Sequence, residues 1–255
     1  MKINKSVLYL TPLLVSMLFV ASCSNRTKGG FQAYNCSERI EDAIEAFENR
    51  REGTAINILE EMKFQCGGTD LMDSVHYYLG MSHMRLNQFM DSRIEFERLR
   101  REYPFSPFAA EAHFRIGQLL YKQSNPPDRD QTETIEAIRV FNSFLNQFPS
   151  SDFADSVTVY LNKSVDKLAQ KEYNNARFYR RQGKHDASLI YYNSLISKYP
   201  TTVYAQKGLI DMGEILFEMG RRSEAQEIVE KIKVSELDEE LKNRVNVLIA
   251  RLDSP

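Results

Sequence analysis

The sequence lacks the short motifs that mark the common classes of enzyme. It contains no glycine-rich phosphate loop, no nucleophile elbow and no metalloprotease helix motif. None of its four histidines lies near a cysteine in the sequence, which argues against a metal site. The acidic runs Glu60-Glu61 and Asp238-Glu239-Glu240 are more typical of solvated helix faces than of acid–base pairs. We therefore expect no enzyme activity, no metal and no cofactor.

An excess of basic residues is also missing. The chain has 33 lysines and arginines against 35 aspartates and glutamates, and removal of residues 1–22 would bring the net charge near −4. Proteins that bind nucleic acid neutralise phosphates with clustered lysine and arginine. This composition therefore predicts no nucleic-acid partner.

Long apolar runs are missing except at the N-terminus. Residues 7–20 form an apolar run behind a lysine-containing start, and about 14 residues suit a signal peptide better than a spanning helix, which needs about 20. The run ends in Val20-Ala21-Ser22-Cys23, which is typical of a bacterial lipobox. The pattern predicts a signal peptide over residues 1–22 and lipid on Cys23. An ordinary cleaved signal is the alternative.

The residues after Cys23 indicate where the anchored chain resides. In many Gram-negative bacteria an aspartate at the next position retains a lipoprotein at the inner membrane, and Ser24 stands there instead. We therefore expect the periplasmic face of the outer membrane, with two or more acyl chains giving a stable anchor. The polar stretch up to residue 37 predicts a flexible tether.

Small residues recur at a fixed spacing through the rest of the chain. Ala43, Gly80 and Gly117 lie 37 residues apart, as do Ala176 and Gly213. A second small residue follows 12 positions later in four of these five units, at Ala55, Ser92, Ser188 and Ala225. A large residue comes four positions after it, and a proline closes several units. This is the tetratricopeptide (TPR) pattern of paired helices, so we predict an all-α solenoid of five helical hairpins.

The repeats predict two regions. Residues 38–150 hold units one to three, and residues 151–255 hold a long helix, units four and five and a C-terminal capping helix. The long helix is expected over residues 152–182, which contain no proline or glycine. Residues 122–132 interrupt unit three and predict a polar loop that projects between its helices. Gly183, Gly220 and Asn87 are suited to the turns inside the hairpins.

The two remaining cysteines flank the first predicted hairpin. Cys36 precedes its first helix and Cys66 follows its second, and antiparallel helices bring such ends together. The periplasm is oxidising, which favours a Cys36–Cys66 disulfide. Two unpaired thiols with Cα atoms more than about 7 Å apart are the alternative.

The histidines are interpreted as structural. His76 and His113 each lie four residues before a repeat glycine, where TPR units usually pack an aromatic ring between helices. His83 lies further along the same predicted helix as His76, without a carboxylate patterned for zinc. His185 follows the turn at Gly183.

An aromatic and methionine-rich strip is predicted on the first helices of units one to three, where TPR arrays hold ligands. Such side chains give a large and adaptable contact area, with two basic residues at the edge. The strip suits an extended apolar peptide with a C-terminal carboxylate; packing between repeats is the alternative role for several of its members. It comprises Phe47, Tyr77, Met81, Met84, Arg85, Phe114, Gln118, Tyr121 and Lys122.

Three further stretches resemble a known family. Tyr103-Pro104-Phe105-Ser106-Pro107 is similar to a Tyr-Pro-Phe-x-Pro segment, and Asp128-Arg129-Asp130 followed by residues 141–150 is similar to a third-repeat loop and helix. The fourth unit resembles the same family at Lys171-Glu172-Tyr173, Ala176, Tyr179, Arg181, Gly183 and Tyr199-Pro200-Thr201. Together with the lipobox and five TPR units, they resemble the BamD (YfiO) family of the outer-membrane β-barrel assembly machinery.

The resemblance implies a non-enzymatic scaffold. Its C-terminal repeats would dock on a BamA-like barrel subunit, with Arg180, Arg181 and Lys184 facing the partner, and its N-terminal repeats would engage unfolded outer-membrane proteins. Other lipoproteins of the machinery are implied as partners. The alternative is a different periplasmic TPR adaptor lipoprotein, serving envelope division or glycan uptake.

Overall fold

A computed structural model describes residues 34–254, so the predicted signal peptide, Cys23 and most of the tether lie outside the described residues. Within this range the chain forms eleven α-helices and one 3₁₀ turn, and no strand. The helices are α1 (Cys36–Glu48), α2 (Glu52–Gln65), α3 (Met72–Arg85), α4 (Phe89–Glu102), α5 (Ala109–Gln123), α6 (Thr132–Gln147), α7 (Ala154–Arg181), α8 (His185–Lys198), α9 (Val203–Glu218), α10 (Arg222–Val229) and α11 (Glu239–Asp253), with the 3₁₀ turn at Val234–Glu236.

Consecutive helices pair into five hairpins. Helix α1 packs on α2, α3 on α4, α5 on α6, α7 on α8 and α9 on α10, and the second helix of each hairpin packs on the first helix of the next. Helix α11 packs on α9 and α10 at the C-terminal end. The expected all-α TPR architecture is confirmed.

Helix α7 links the third and fourth hairpins. Its N-terminal part packs on α6 and α5, while its C-terminal part packs on α8 and α9. It has 28 residues and begins at Ala154, two residues later than expected. The difference arises because the Ser151 hydroxyl accepts a hydrogen bond from the Phe153 amide (3.3 Å), which forms a turn before the helix starts.

The small repeat residues let the two helices of a hairpin approach closely. A Cβ atom placed on Gly80 would lie 2.7 Å from the Phe96 ring, and one on Gly117 would overlap the Phe141 ring. Both rings are fully buried. The space that each glycine leaves empty is therefore filled by the aromatic residue of the second helix.

A hydroxyl group reinforces this contact in two hairpins. Ser92 donates a hydrogen bond to the carbonyl oxygen of Gly80 (2.7 Å), and Ser188 donates one to the carbonyl oxygen of Ala176 (2.8 Å). Both serines are buried, so the bond satisfies a hydroxyl that has no access to water. The 12-residue offset in the sequence thus corresponds to a direct contact between the helices.

The turns inside four hairpins use the same backbone conformation. Asn87, Gly183 and Gly220 have positive φ angles of 58°, 71° and 77°, as expected. Arg50 also has a φ of 58°, in the first hairpin, which the sequence did not indicate. Each of the four lies seven residues after the small residue of its first helix.

The interruption in the third hairpin is docked rather than projecting, contrary to expectation. The buried Gln131 side chain donates to the carbonyl oxygen of Pro126 (2.7 Å) and lies within hydrogen-bond distance of three neighbouring carbonyl oxygens. Two side chains of α7 hold the loop from outside: Lys171 donates to the Arg129 carbonyl oxygen (2.7 Å) and Asn174 to the Asp128 carboxylate (2.7 Å).

Cys36 and Cys66 form a disulfide with their Cα atoms 5.9 Å apart. The bond joins the start of α1 to the residue that ends α2. In the chain-entropy model, closing a 30-residue loop stabilises the folded state by about 3–4 kcal/mol.

Two buried histidines have different surroundings. His76 Nδ1 lies 2.6 Å from the Glu95 carboxylate, which also accepts a hydrogen bond from Lys63 (3.0 Å). Burial alone would raise the pKa of Glu95, but these two hydrogen bonds hold it below its ordinary value. His113 instead lies edge-on to the rings of Phe144 and Phe148.

The other two histidines lie at helix ends. His83 Nδ1 is 2.7 Å from the Gln88 side-chain oxygen, near the end of α3. His185 begins α8, directly after the hairpin turn.

We expect Gly117→Ala to lower the free energy of unfolding by about 1–3 kcal/mol, because the new methyl group overlaps Phe141. Alanine is otherwise the better helix former by about 1 kcal/mol. Gly53→Ala is the matched control, because nothing lies within 4 Å of its added Cβ atom, and it should leave stability equal or slightly higher. Urea unfolding measures both variants. Equal stabilisation by the two would contradict the close helix contact.

We expect stability to fall with acidification in part through His113. Burial is the main cause that lowers its pKa from 6.5 to about 4. Between pH 6.5 and 4 the unfolded chain binds a proton on this histidine and the folded chain does not. The contribution of His113 to the free energy of unfolding is therefore complete above pH 6.5 and is lost as the pH falls toward 4. The loss approaches about 3 kcal/mol. Urea unfolding across this pH range should show that the free energy of unfolding declines less steeply for His113→Leu than for the parent protein or His83→Gln. Parallel declines in the three proteins would contradict a role of His113 in the acid sensitivity.

Candidate binding surfaces

The first helices of the hairpins, α1, α3, α5, α7 and α9, form one surface, called here the first-helix face. Three aromatic pairs cross it between neighbouring hairpins: Tyr77 and Phe108 (ring centroids 4.2 Å apart), Phe114 and Phe153 (5.6 Å), and Tyr173 and Tyr204 (5.7 Å). Tyr77, Phe114 and Tyr173 each lie three residues before the small residue of their first helix. The pairs therefore repeat with the hairpins.

The second ring of each pair follows a recurring joint between hairpins. Residues 103–108 (YPFSPF), 148–153 (FPSSDF) and 199–204 (YPTTVY) all read aromatic, proline, any residue, serine or threonine, any residue, aromatic. In each joint, the hydroxyl oxygen of the fourth residue accepts a hydrogen bond from a backbone N–H group. These residues are Ser106, Ser151 and Thr202. The predicted strip does not include Phe108, Phe153 or Tyr204, although this repeated hexapeptide marks all three in the sequence.

The N-terminal end of the predicted strip is held by its own contacts. The guanidinium carbon of Arg85 lies 3.4 Å from the centroid of the Phe47 ring, and Arg85 donates to the Phe47 carbonyl oxygen (2.7 Å). Arg85 also lies 3.5 Å from the Glu52 carboxylate. Phe47 is buried beneath it. Arg85 is thus fixed over an aromatic ring, with its head group at the surface.

Tyr77 is fixed at both ends. Its ring stacks on Phe108, and its hydroxyl donates to the Glu111 carboxylate (2.8 Å), which also binds Arg115 (2.7 Å). Burial and the hydrogen bond to Glu111 raise the pKa of Tyr77 above its usual range. The hydroxyl therefore stays protonated and acts as a donor.

The third hairpin packs its part of the strip against α7. Phe114 and Gln118 are buried, and the Gln118 amide donates to the Tyr160 hydroxyl (2.9 Å). Tyr121 is half-buried, and the centroid of its ring lies 5.6 Å from that of the Tyr160 ring. The Lys167 ammonium lies 4.8 Å from the centroid of the Tyr121 ring. Lys122 is exposed, 5.6 Å from the Phe89 ring.

The nine predicted residues of the strip therefore fall into two groups, three that are buried and six that are accessible to a ligand. Phe47, Phe114 and Gln118 are buried between helices, so they serve packing between repeats and present no open surface. The remaining six are half-buried or exposed: Tyr77, Met81, Met84, Arg85, Tyr121 and Lys122.

The basic residues predicted at the fourth hairpin are likewise divided. Arg180 is half-buried and binds the carboxylates of Glu214 (3.0 Å), Glu218 (3.3 Å) and Asp211 (3.4 Å) on α9. Arg181 is exposed and lines a cavity, whereas Lys184 is exposed at the turn and does not line it.

Asp211 connects Arg180 to the rest of the C-terminal half. Its buried carboxylate accepts hydrogen bonds from the Tyr192 hydroxyl on α8 (2.6 Å) and from the Arg244 guanidinium on α11 (2.7 Å). Arg244 also binds Glu214 (2.7 Å). The ion pairs tie α7, α9 and α11 together and neutralise Arg180 and Arg244, and the hydrogen bond from Tyr192 adds α8.

A cavity of about 590 Å³ opens beside this network, between α7, α9 and α11. Five cationic side chains line it against three acidic ones. Three of the cations, Arg177, Arg181 and Lys207, make no ion pair with any residue of the described range. Arg177 and Arg181 also line a second cavity of about 420 Å³ on the side of the docked loop. Chemically, this region can bind carboxylates.

Two absences hold for the described residues alone. Between residues 34 and 254, no group of three or more histidine, cysteine, aspartate or glutamate side chains is placed to hold a metal ion. In the same range, no helix combines the length and apolar character that crossing a membrane requires.

A protein-family model matches most of the chain. The model, YfiO, is described as an outer membrane lipoprotein and matches residues 33–232. The match spans the predicted first hairpin through the fifth.

Two curated proteins show the same similarity. The outer membrane protein assembly factor BamD of Caulobacter vibrioides is 24% identical over 146 residues, which cover 57% of this chain and 48% of that protein. The match thus spans about half the length of the Caulobacter relative. The putative outer membrane protein assembly factor BamD of Aquifex aeolicus is 26% identical over 258 residues. That match covers 94% of this chain and 82% of the Aquifex protein.

Solved structures of repeat proteins are more distant. A tetratricopeptide repeat protein from Parabacteroides merdae has a TM-score of 0.40 and 16% identity, with 85% of each chain covered. The TPR domain of P58(IPK) has a TM-score of 0.44 and 12% identity, covering 85% of this chain and 65% of that one. Both scores are below 0.5, so the repeat assignment rests on the helix contacts described above.

We expect Arg180→Gln to lower the free energy of unfolding by about 1–3 kcal/mol, because the buried Asp211 and the half-buried Glu214 each lose an ion pair. Arg181→Gln, one residue further along the same helix, should change stability by less than about 0.5 kcal/mol. Thermal or urea unfolding of the two variants checks this difference. Equal losses would contradict the separation of a packing arginine from a surface arginine.

Proposed function

The chain belongs to the YfiO family of outer membrane lipoproteins, and from this premise we propose that it is a non-enzymatic scaffold subunit of the outer-membrane β-barrel assembly machinery. The observation that carries the proposal is the family match over residues 33–232, supported by the named assembly factor from Caulobacter vibrioides. The lipobox at Cys23 supports attachment by lipid to the periplasmic face of the outer membrane.

The chain would act by binding rather than by catalysis. The polar groups that could serve chemistry are engaged in packing: His76 is bound to Glu95, and Tyr192 and Arg244 to Asp211. Helical hairpins that stack on their neighbours give long surfaces for protein partners. A scaffold needs such surfaces and no reactive group.

A BamA-like barrel subunit would dock at the C-terminal cavity. Arg177, Arg181 and Lys207 are the cations there without an ion pair in the described range, so an acidic surface of the partner would neutralise them. Lys184 would add a peripheral charge at the turn. Other lipoproteins of the machinery would join the same assembly.

Unfolded outer-membrane proteins would contact the six accessible residues of the strip. Met81, Met84 and Tyr121 supply apolar area that adapts to varied sequences. Lys122 is exposed beside them and would bind a carboxylate at the chain end, and the exposed head group of Arg85, next to Glu52, would add positive charge.

The test is a mild-detergent pull-down of the tagged native lipoprotein from its own envelope, with mass spectrometry. We expect a BamA-like protein at near-equal stoichiometry. The double variant Arg181→Glu/Lys207→Glu should reduce its recovery at least about tenfold, because two attractive contacts become repulsive. Lys231→Glu is the matched control, since Lys231 is exposed and lies outside the cavity. Recovery of envelope-division or glycan-uptake proteins instead of a BamA-like protein would contradict the proposal. It would indicate that the chain is a TPR adaptor of another envelope system.

A photo-crosslinking side chain tests the strip in the same envelope. Placed at Met84, it should capture outer-membrane proteins in their unfolded form, whereas placed at the exposed Met219 on another hairpin it should not. Equal capture at both positions would refute a substrate surface on the strip.

A further inference from the structure

A second groove lies apart from both surfaces described so far. It runs between α8 and α10 over α9, has a volume of about 370 Å³ and shares no residue with the strip or the basic cavity. Apolar side chains from all three helices form its floor: Leu189, Ile190, Met212, Leu216 and Ile228.

Ile190 is the most exposed member of this floor. Its exposed fraction is 69%, although isoleucine side chains are usually buried. It lies two residues after the small residue Ser188 of α8. The same repeat position holds an isoleucine, Ile94, in the second hairpin, but it holds polar residues in the other three, such as Asn57 in the first. An apolar side chain here is therefore not required by the repeat itself.

The rim of the groove is acidic. Asp186 stands on the α8 wall, and Glu224 and Glu227 stand one turn apart on the α10 wall. Among the described residues that line the groove, Arg221 is the single cation, and its Nε atom already donates to Glu224 (2.6 Å). Asp186 and Glu227 form no ion pair with any residue of the described range. The groove thus combines an apolar floor with an excess of negative charge, because three acidic side chains line it against one arginine.

We propose that this groove binds an amphipathic helix of a partner protein, with aliphatic side chains on Ile190 and its neighbours and lysine or arginine beside Asp186 and Glu227. Binding of a helix in a groove between helices uses apolar anchors spaced one turn apart. The opposite charges on partner and rim set the orientation and raise the association rate. The proposal does not depend on the assembly-machinery role, because it rests on residues that the role does not use.

The test uses defined peptides and the full-length protein in detergent. A fluorescent helical peptide of about 16 residues carries leucines at positions i, i+3, i+4 and i+7 and lysines at the flanks. A second peptide has glutamates in place of the lysines, and a third has a scrambled order. Fluorescence anisotropy at low ionic strength should show binding of the lysine peptide at least about tenfold tighter than binding of the other two.

Variants of the protein locate the binding. Ile190→Ser should weaken binding of the lysine peptide about tenfold, while Ile94→Ser should not, because Ile94 occupies the same repeat position in the second hairpin outside the groove. The double variant Asp186→Lys/Glu227→Lys should transfer the preference to the glutamate peptide. Circular dichroism checks that each variant is folded.

Three results would overturn the proposal. The first is equal binding of the lysine and glutamate peptides, and the second is unchanged binding by Ile190→Ser. The third is a dimer in analytical ultracentrifugation that Ile190→Ser converts to a monomer, which would make a second copy of the chain the occupant of the groove.

Discussion

The distance between the two helices of a hairpin is the constraint on which the rest of the structure depends. Helices approach this closely where one of them carries no side chain or only a methyl group. At Gly80 and Gly117 the ring of Phe96 or Phe141 fills the space that the missing side chain leaves. The approach aligns Ser92 with the Gly80 carbonyl oxygen and Ser188 with that of Ala176. Each hairpin is thereby a fixed unit, and neighbouring units can stack in a constant register.

This constraint explains why the fold was predictable. A small residue is directly visible in the sequence, so the 37-residue spacing of Ala43, Gly80 and Gly117, and of Ala176 and Gly213, predicts five hairpins. Backbone requirements were harder to predict where the sequence did not use glycine. Arg50 adopts the same positive φ as Asn87, and nothing about arginine predicts this conformation. The docked loop depends on hydrogen bonds from Gln131 and Lys171 that link distant or irregular positions, which a periodic pattern does not encode.

The binding surfaces were less predictable than the fold because position on a helix face does not determine access. Phe114 and Met84 both belong to the predicted strip, yet Phe114 is covered by Phe153 from the following joint. Arg180 and Arg181 are adjacent and chemically identical, but three carboxylates on α9 bind only the first. What distinguishes such neighbours is the next hairpin in the array. Its contribution becomes visible only when the stacking is known.

The disulfide between Cys36 and Cys66 has a mechanical consequence for a chain held at its N-terminus. If the chain is held by lipid at Cys23, as proposed, tension that reaches Cys36 would cross directly to Cys66 through the sulfur atoms. The first hairpin therefore lies outside the load path, and about 100 Å of extended chain is withheld from stretching. Force is delivered instead to the short segment before α3. In a protein tethered to a moving membrane surface, the pulling force would therefore not extend the first repeat, even when a neighbouring repeat is pulled open.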